Sequence, residues 1–229
     1  MPATPATTST SSAVPPTSVG GWVCLGTVAS AFVFTLSWIV LSFVSDGYTV
    51  GGDYIAGYDN VTQPISGLGM GATAPYMNTA FVLSGLLLGV GWYGVFRSIE
   101  GGRRAARVLA AIGLGLAPIG LALIGLFDLD SPGPHFAGVF LAFQLPVLTF
   151  VAAGLFLRRV RNWRRLGNLL ICVAAPITLI LMVVFFATFS EDATADGEGI
   201  AGLTQRLWLT WVLGWHAVVG WAAYRKTPA

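Results

Sequence analysis

Six apolar stretches, each long enough to cross a bilayer as a helix, leave this chain few alternatives. They run over about Trp22–Val44, Pro75–Phe96, Arg107–Phe127, His135–Leu157, Leu166–Phe189 and Leu207–Tyr224. A helix rises 1.5 Å per residue and needs about 20 apolar residues to cover the hydrocarbon core. Within these limits the one charged side chain is Arg107, at an end. Backbone polar groups in lipid must bond inside their own segment, which requires helices. None of the stretches alternates as a barrel strand does. Charged residues make up 10% of the chain, against about 25% in a soluble domain, too few to clothe a surface in water. The expected fold class is all-α: a six-span transmembrane helical bundle forming one domain over residues 22–226 in the cell membrane.

The loops orient the bundle. Arg97, Arg103, Arg104 and Arg107, then Arg158, Arg159, Arg161, Arg164 and Arg165, then Arg225 and Lys226 fall on one side. Asp46, Asp53, Asp59, Asp128, Asp130, Glu191, Asp192, Asp196 and Glu198 fall on the other. The positive-inside rule puts the arginine side in the cytoplasm, and both termini with it. Residues 1–21 are rich in Pro, Thr, Ser and Ala and carry no charged side chain; they cannot bury enough apolar surface to offset their ordering entropy, so a disordered tail is expected. The net charge of +2 gives no reason to expect nucleic acid as a partner. Cys24 and Cys172 form no CxxC or Cys/His cluster, which excludes a disulfide scaffold and an ordinary structural zinc site. The outer segment from Ser45 to Ala74 is long for a connection; its aromatics and its Pro64-Ile65-Ser66-Gly67-Leu68-Gly69 ending suggest a folded cap on the bundle.

Several ordered pieces carry a family resemblance. They are Tyr58-Asp59 through Pro64-Ile65-Ser66-Gly67-Leu68-Gly69, then Asn78-Thr79-Ala80-Phe81 and Gly85, then Leu126-Phe127-Asp128-Leu129-Asp130 leading to His135, and Gly202-Leu203-Thr204-Gln205-Arg206 opening the sixth span. With six spans in that order, the chain resembles the bacterial and archaeal membrane protein family called domain of unknown function 998, from about Tyr48 to its end. The resemblance implies a six-helix membrane protein whose polar signature gathers on the outer side, and it implies no reaction. One departure is that the family often has an acidic residue after its Ile-Ser, where Gly67-Leu68 follow here.

The topology gathers Asp59, Ser66, Asn78, Asp128, Asp130, His135, Gln205 and Arg206 at the outer boundary. Arg206 is the one basic side chain there, at a helix start where the dipole disfavours a cation. Either it pairs with Asp59, Asp128 or Asp130, which offer bidentate acceptors, or it snorkels to headgroups. A convergent site of this kind suits a lipid headgroup or another amphipathic ligand, with the bilayer itself as the first partner. Asp128, Asp130 and His135 lie within eight residues and offer ligands for a divalent metal; with Ser131-Pro132-Gly133-Pro134 following, the competing reading is a capped turn. No organic cofactor is expected. Ser66, His135 and an aspartate could stand as nucleophile, base and orienter, although no Gly-x-Ser-x-Gly elbow surrounds Ser66. The classes left open are therefore a lipid binder, a membrane-embedded metal- or acid/base-assisted lipid hydrolase or transferase, and an accessory subunit of a membrane complex.

Within the spans, His216 is expected as a neutral histidine bonded to a neighbouring helix. Gly85 and Gly89 form a GxxxG face that packs within the bundle or supports self-association. Pro118, Pro146 and Pro176 each fall mid-span and should kink their helices. Trp208, Trp211 and Trp215 form a helical stripe, while Trp22, Trp92, Trp163 and Trp221 suit the interface belt. The topology has a direct check. Single cysteines at Gly102 or Thr227 should resist a membrane-impermeant thiol reagent in intact cells, and those at Gly57 or Gly197 should react; a reactive Thr227 position would overturn the orientation or the even number of spans.

Overall fold

The computed structural model describes residues 20–227, so the tail up to residue 19 lies outside the described residues. Six long helical segments make up the fold: α1 (Gly21–Ser42), α2 (Ala74–Ser98), α3 (Arg104–Leu126), α4 (Pro132–Leu157), α5 (Arg164–Thr188) and α6 (Ala201–Lys226). The first five are long and apolar enough to cross a membrane. The sixth is as long, but Gln205, Arg206 and His216 lower its hydropathy.

The helices form an antiparallel ring, each packed on the next, with α6 closing it against α1. α6 also reaches the centre: the Trp92 indole N–H donates to His216 Nδ1 at 3.0 Å, and Phe150 lies against the same imidazole. His216 is thus bonded to a neighbouring helix, while Trp92 is buried rather than placed in an interface belt. Lipid tails are as apolar as leucine, so helices associate through close packing rather than burial of oil from water. Glycines supply the close approach at successive crossings. A Cβ on Gly91 would overlap the backbone of Thr27, one on Gly120 would press on Ala142 and Gly138, and one on Gly154 would press on Gly167. Gly85 faces the Pro118 carbonyl of α3, so this GxxxG face is filled from within the chain.

The prolines behave differently from one another. Pro118 stands inside α3, but Pro146 and Pro176 each follow a wide π turn, Phe140–Gln144 and Leu170–Ala174. In these turns Leu145 N–H bonds to Phe140 O, and Ala175 N–H bonds to Leu170 O. A proline removes one N–H and crowds the carbonyl a turn earlier; the extra residue in the turn takes up that mismatch.

The segment between α1 and α2 is a cap with a strand pair that the helical reading of the sequence did not contain. β1 (Gly47–Val50) and β2 (Asp53–Ala56) form an antiparallel hairpin with Val50 opposite Asp53. Its two-residue turn, Gly51-Gly52, has φ of 61° and 94°, the positive values that primed hairpin turns demand. Tyr48, Ile55 and Met70 form a small core beneath it. A tight helical turn, Ile65–Gly69, then leads to α2.

If close approach holds the ring together, Gly91→Ala should lower stability by roughly 1–3 kcal/mol, as overpacking does. Gly115, with nothing within 4 Å of an added Cβ, should accept alanine without loss. Thermal unfolding of the two purified variants checks this pair.

Candidate functional site

α6 begins at Ala201, six residues before its apolar run, so Gln205 and Arg206 sit in its second turn rather than at its tip. The first N–H groups of a helix have no partner inside it. Here loop carbonyls take them: Gly202 N–H bonds to Thr62 O at 3.3 Å and Leu203 N–H to Val61 O at 2.9 Å. The loop from Tyr58 to Ile65 therefore caps α6.

Arg206 fastens that cap. It is 5% exposed, and its Nη1 donates to Gln63 O at 2.8 Å and to Gly202 O at 2.9 Å. Its Nη2 donates to the Tyr58 hydroxyl at 2.5 Å. That hydroxyl in turn donates to Pro64 O at 2.9 Å. The guanidinium also lies over the rings of Trp38, 5.1 Å away, and Tyr58, 5.5 Å away, where the ring quadrupole attracts a cation. Burial pushes the Tyr58 phenol well above its ordinary range, against the opposing pull of Arg206, so it stays a neutral donor. Beside it, Gln205 Oε1 accepts from Ile65 N–H at 2.7 Å.

The aspartates offered as partners for Arg206 do other things. Asp59 Oδ1 accepts from Val61 N–H and Thr62 N–H, both at 2.8 Å, closing its own turn. The Thr62 bond chiefly holds its carboxyl below the usual range, with Arg206 only a minor influence. Asp128 Oδ1 accepts from Asp130 N–H at 3.1 Å, a local turn before α4. Arg206 instead rests on neutral oxygens and aromatic faces, with its acceptors held in position by the folded cap and by the first turn of α6.

Ser66 and His135 do meet. Ser66 Oγ lies 3.1 Å from His135 Nε2, and His135 Nδ1 lies 2.8 Å from Phe127 O. A carbonyl oxygen only accepts, so Nδ1 carries the proton, and Nε2 accepts from the Ser66 hydroxyl. His135 is 2% exposed, while Ser66 is partly open. Asn78 Nδ2 donates to Gly69 O at 3.1 Å and so pins the far end of the turn that carries Ser66. Gln205, Arg206, His135 and Asn78 thus all grip one stretch, residues 58–69, from three helices. With both ring nitrogens of His135 engaged, Asp128, Asp130 and His135 form no metal-ligand group among the described residues.

A groove of about 630 Å³ runs along α6, lined by Trp38, Leu203, Leu207, Trp211 and Trp215 with Arg206 among them. Trp38 Nε1 and Arg206 Nε are both buried and have no acceptor among the described residues. Trp38 escaped the sequence reading; an aromatic at the depth of a lone arginine was its available signal. Gln63 had none, because it acts through its backbone carbonyl.

The family model described as Protein of unknown function (DUF998) matches residues 28–222. The chain belongs to that family. No curated protein and no solved structure matches it. The matched span of this DUF998 member runs from early α1 almost to the end of α6 and so takes in the whole cap and its anchors.

Removing the guanidinium takes its donors away from the buried Gln63 carbonyl and from the Tyr58 hydroxyl oxygen. Arg206→Ala should therefore destabilise the protein by about 1–3 kcal/mol, the penalty for leaving buried polar groups unsatisfied. Thermal unfolding equal to wild type would show that Arg206 does not fasten the cap.

Proposed function

We propose that this is a six-span protein of the cell membrane with both termini cytoplasmic, whose α6 groove binds an anionic amphipath. Support for the sixth span comes from the level of its ends. Gly220 packs on Cys24 and Thr27 at the start of α1, and Thr204 Oγ1 lies 2.9 Å from Thr188 Oγ1 at the end of α5. The arginine-bearing loops then lie on one side, where the positive-inside rule sets the cytoplasm.

The observation that carries the binding reading is the pair of donors without acceptors, Trp38 Nε1 and Arg206 Nε, in side chains that line an apolar groove. A buried N–H without an acceptor costs free energy. A phosphate-headed lipid supplies acceptor oxygens and a negative charge to a guanidinium that has no carboxylate partner among the described residues, while its chain covers Leu207, Trp211 and Trp215. The donors fix the head and the groove takes the tail, the division of labour of a small-molecule site.

Tryptophan fluorescence tests this. Phosphatidylglycerol with brominated chains should quench the purified protein saturably and more strongly than phosphatidylcholine with the same chains. Trp38→Phe removes one donor but leaves Trp211 and Trp215 as reporters, and it should weaken that preference about tenfold, the worth of one hydrogen bond to a charged group. Equal quenching by both lipids would make the groove ordinary lipid-facing surface and end the binding reading.

A further inference from the structure

The pairing of Ser66 with His135 does not depend on the groove, and it has the parts of a catalytic dyad. The imidazole is buried and held at Nδ1 by Phe127 O, which fixes both the tautomer and the ring orientation. Its basic nitrogen, Nε2, faces the hydroxyl of a serine that keeps some exposure. The serine stands in a tight turn gripped on both sides, through Ile65 N–H by Gln205 and through Gly69 O by Asn78. Preorganised geometry of this kind, rather than the strength of any one bond, makes a hydroxyl useful as a nucleophile. The surroundings are apolar and open: the Phe136 ring stands edge-on to His135 at 5.8 Å, and Leu126, Phe127 and Phe136 are exposed.

We propose that Ser66 and His135 form a nucleophile–base pair that cleaves or transfers the acyl group of an ester-bearing amphipath. Ser66 Oγ attacks the acyl carbonyl carbon as its proton passes to His135 Nε2. The carbon–oxygen bond to the leaving alcohol breaks, and the alkoxide takes that proton from Nε2, leaving the acyl group on Ser66. Water, or a second alcohol, then adds to the acyl carbon with Nε2 as base, and Ser66 leaves with the proton restored. Phe127 O acts as a positioning group, holding the Nδ1 proton as an aspartate does in the three-residue arrangement. The exposed phenylalanines and Leu126 favour an acyl chain beside the reacting carbon over a polar substrate.

A competing role for the same pair is a strut that ties the cap to α4. Labelling with a long-chain alkyl fluorophosphonate distinguishes the two. In the purified protein the probe should form an adduct that peptide mass spectrometry places on Ser66, and a medium-chain p-nitrophenyl ester should be hydrolysed at the same site. His135→Gln should slow both at least about 100-fold, the lower end of what a general base contributes. Because His135→Gln could also loosen the cap, Ser66→Cys gives a second readout. Its thiol should react with iodoacetamide much faster with His135 present than in the double variant, when both proteins have unfolding profiles like wild type. No adduct on Ser66 in folded protein, or labelling and thiol reactivity indifferent to His135, would overturn the dyad and leave the strut.

Discussion

A guanidinium taken out of water must have its N–H groups answered, and in this protein that demand organises one whole end of the bundle. The Arg206 Nη groups are answered by two carbonyls and a phenol, and the guanidinium plane lies over two aromatic faces. Because one carbonyl and the phenol belong to the connection between α1 and α2, answering the charge fixes the path of that connection across the top of α6. The same path delivers the carbonyls that cap the α6 N-terminus and brings Ser66 to His135. A carboxylate partner would neutralise the cation locally and leave the loop free. Neutral acceptors spread over Tyr58 to Gln63 tie the cation to the fold of the cap instead.

The bundle beneath supplies the rigid frame that this clamp needs. Glycine contacts at successive crossings set the helices close, and the wide turns before Pro146 and Pro176 absorb the prolines without opening the ring. In the centre, Trp92 and His216 tie α2 to α6 with a hydrogen bond, so the helix that carries Gln205 and Arg206 is held along its length and not only at its tip. The Arg206 side chain can then serve two neighbours. Its Nη groups bond both the cap and the first turn of α6, while its Nε and Trp38 Nε1 are buried without an acceptor among the described residues.

Much of this was legible in the sequence because membranes impose coarse rules. Apolar length marked the helices, and the segregation of arginines from aspartates separated the two ends. Arg206 stood out by being alone, and Ser66, Asn78, His135 and Gln205 were drawn to the same boundary by topology. What escaped depends on atoms that residue type does not report. Gln63 matters through its carbonyl, and Phe127 likewise. The sixth apolar span was bounded at Leu207, six residues after α6 begins, because Gln205 and Arg206 lower the local hydropathy, although Arg206 was already read at a helix start. The hairpin had a signal in Gly51-Gly52 between two short β-prone runs, which the surrounding helical pattern outweighed. The aspartates were one of two readings offered for Arg206, because opposite charge is the first expectation for a lone arginine, whereas Asp59 is nearer in sequence to the amides it caps.

Hydrogen–deuterium exchange over residues 58–69 tests most directly whether the Arg206 clamp orders the cap. Arg206→Lys keeps the charge but gives up the planar fork of donors. Amide protection through Val61 to Gly67 should fall sharply in this variant, with the loss extending to the first turn of α4 around His135, while α2 and α3 remain protected as in wild type. Unchanged protection across residues 58–69 in folded Arg206→Lys would contradict the account and show that the cap is ordered by its own turns and hairpin alone.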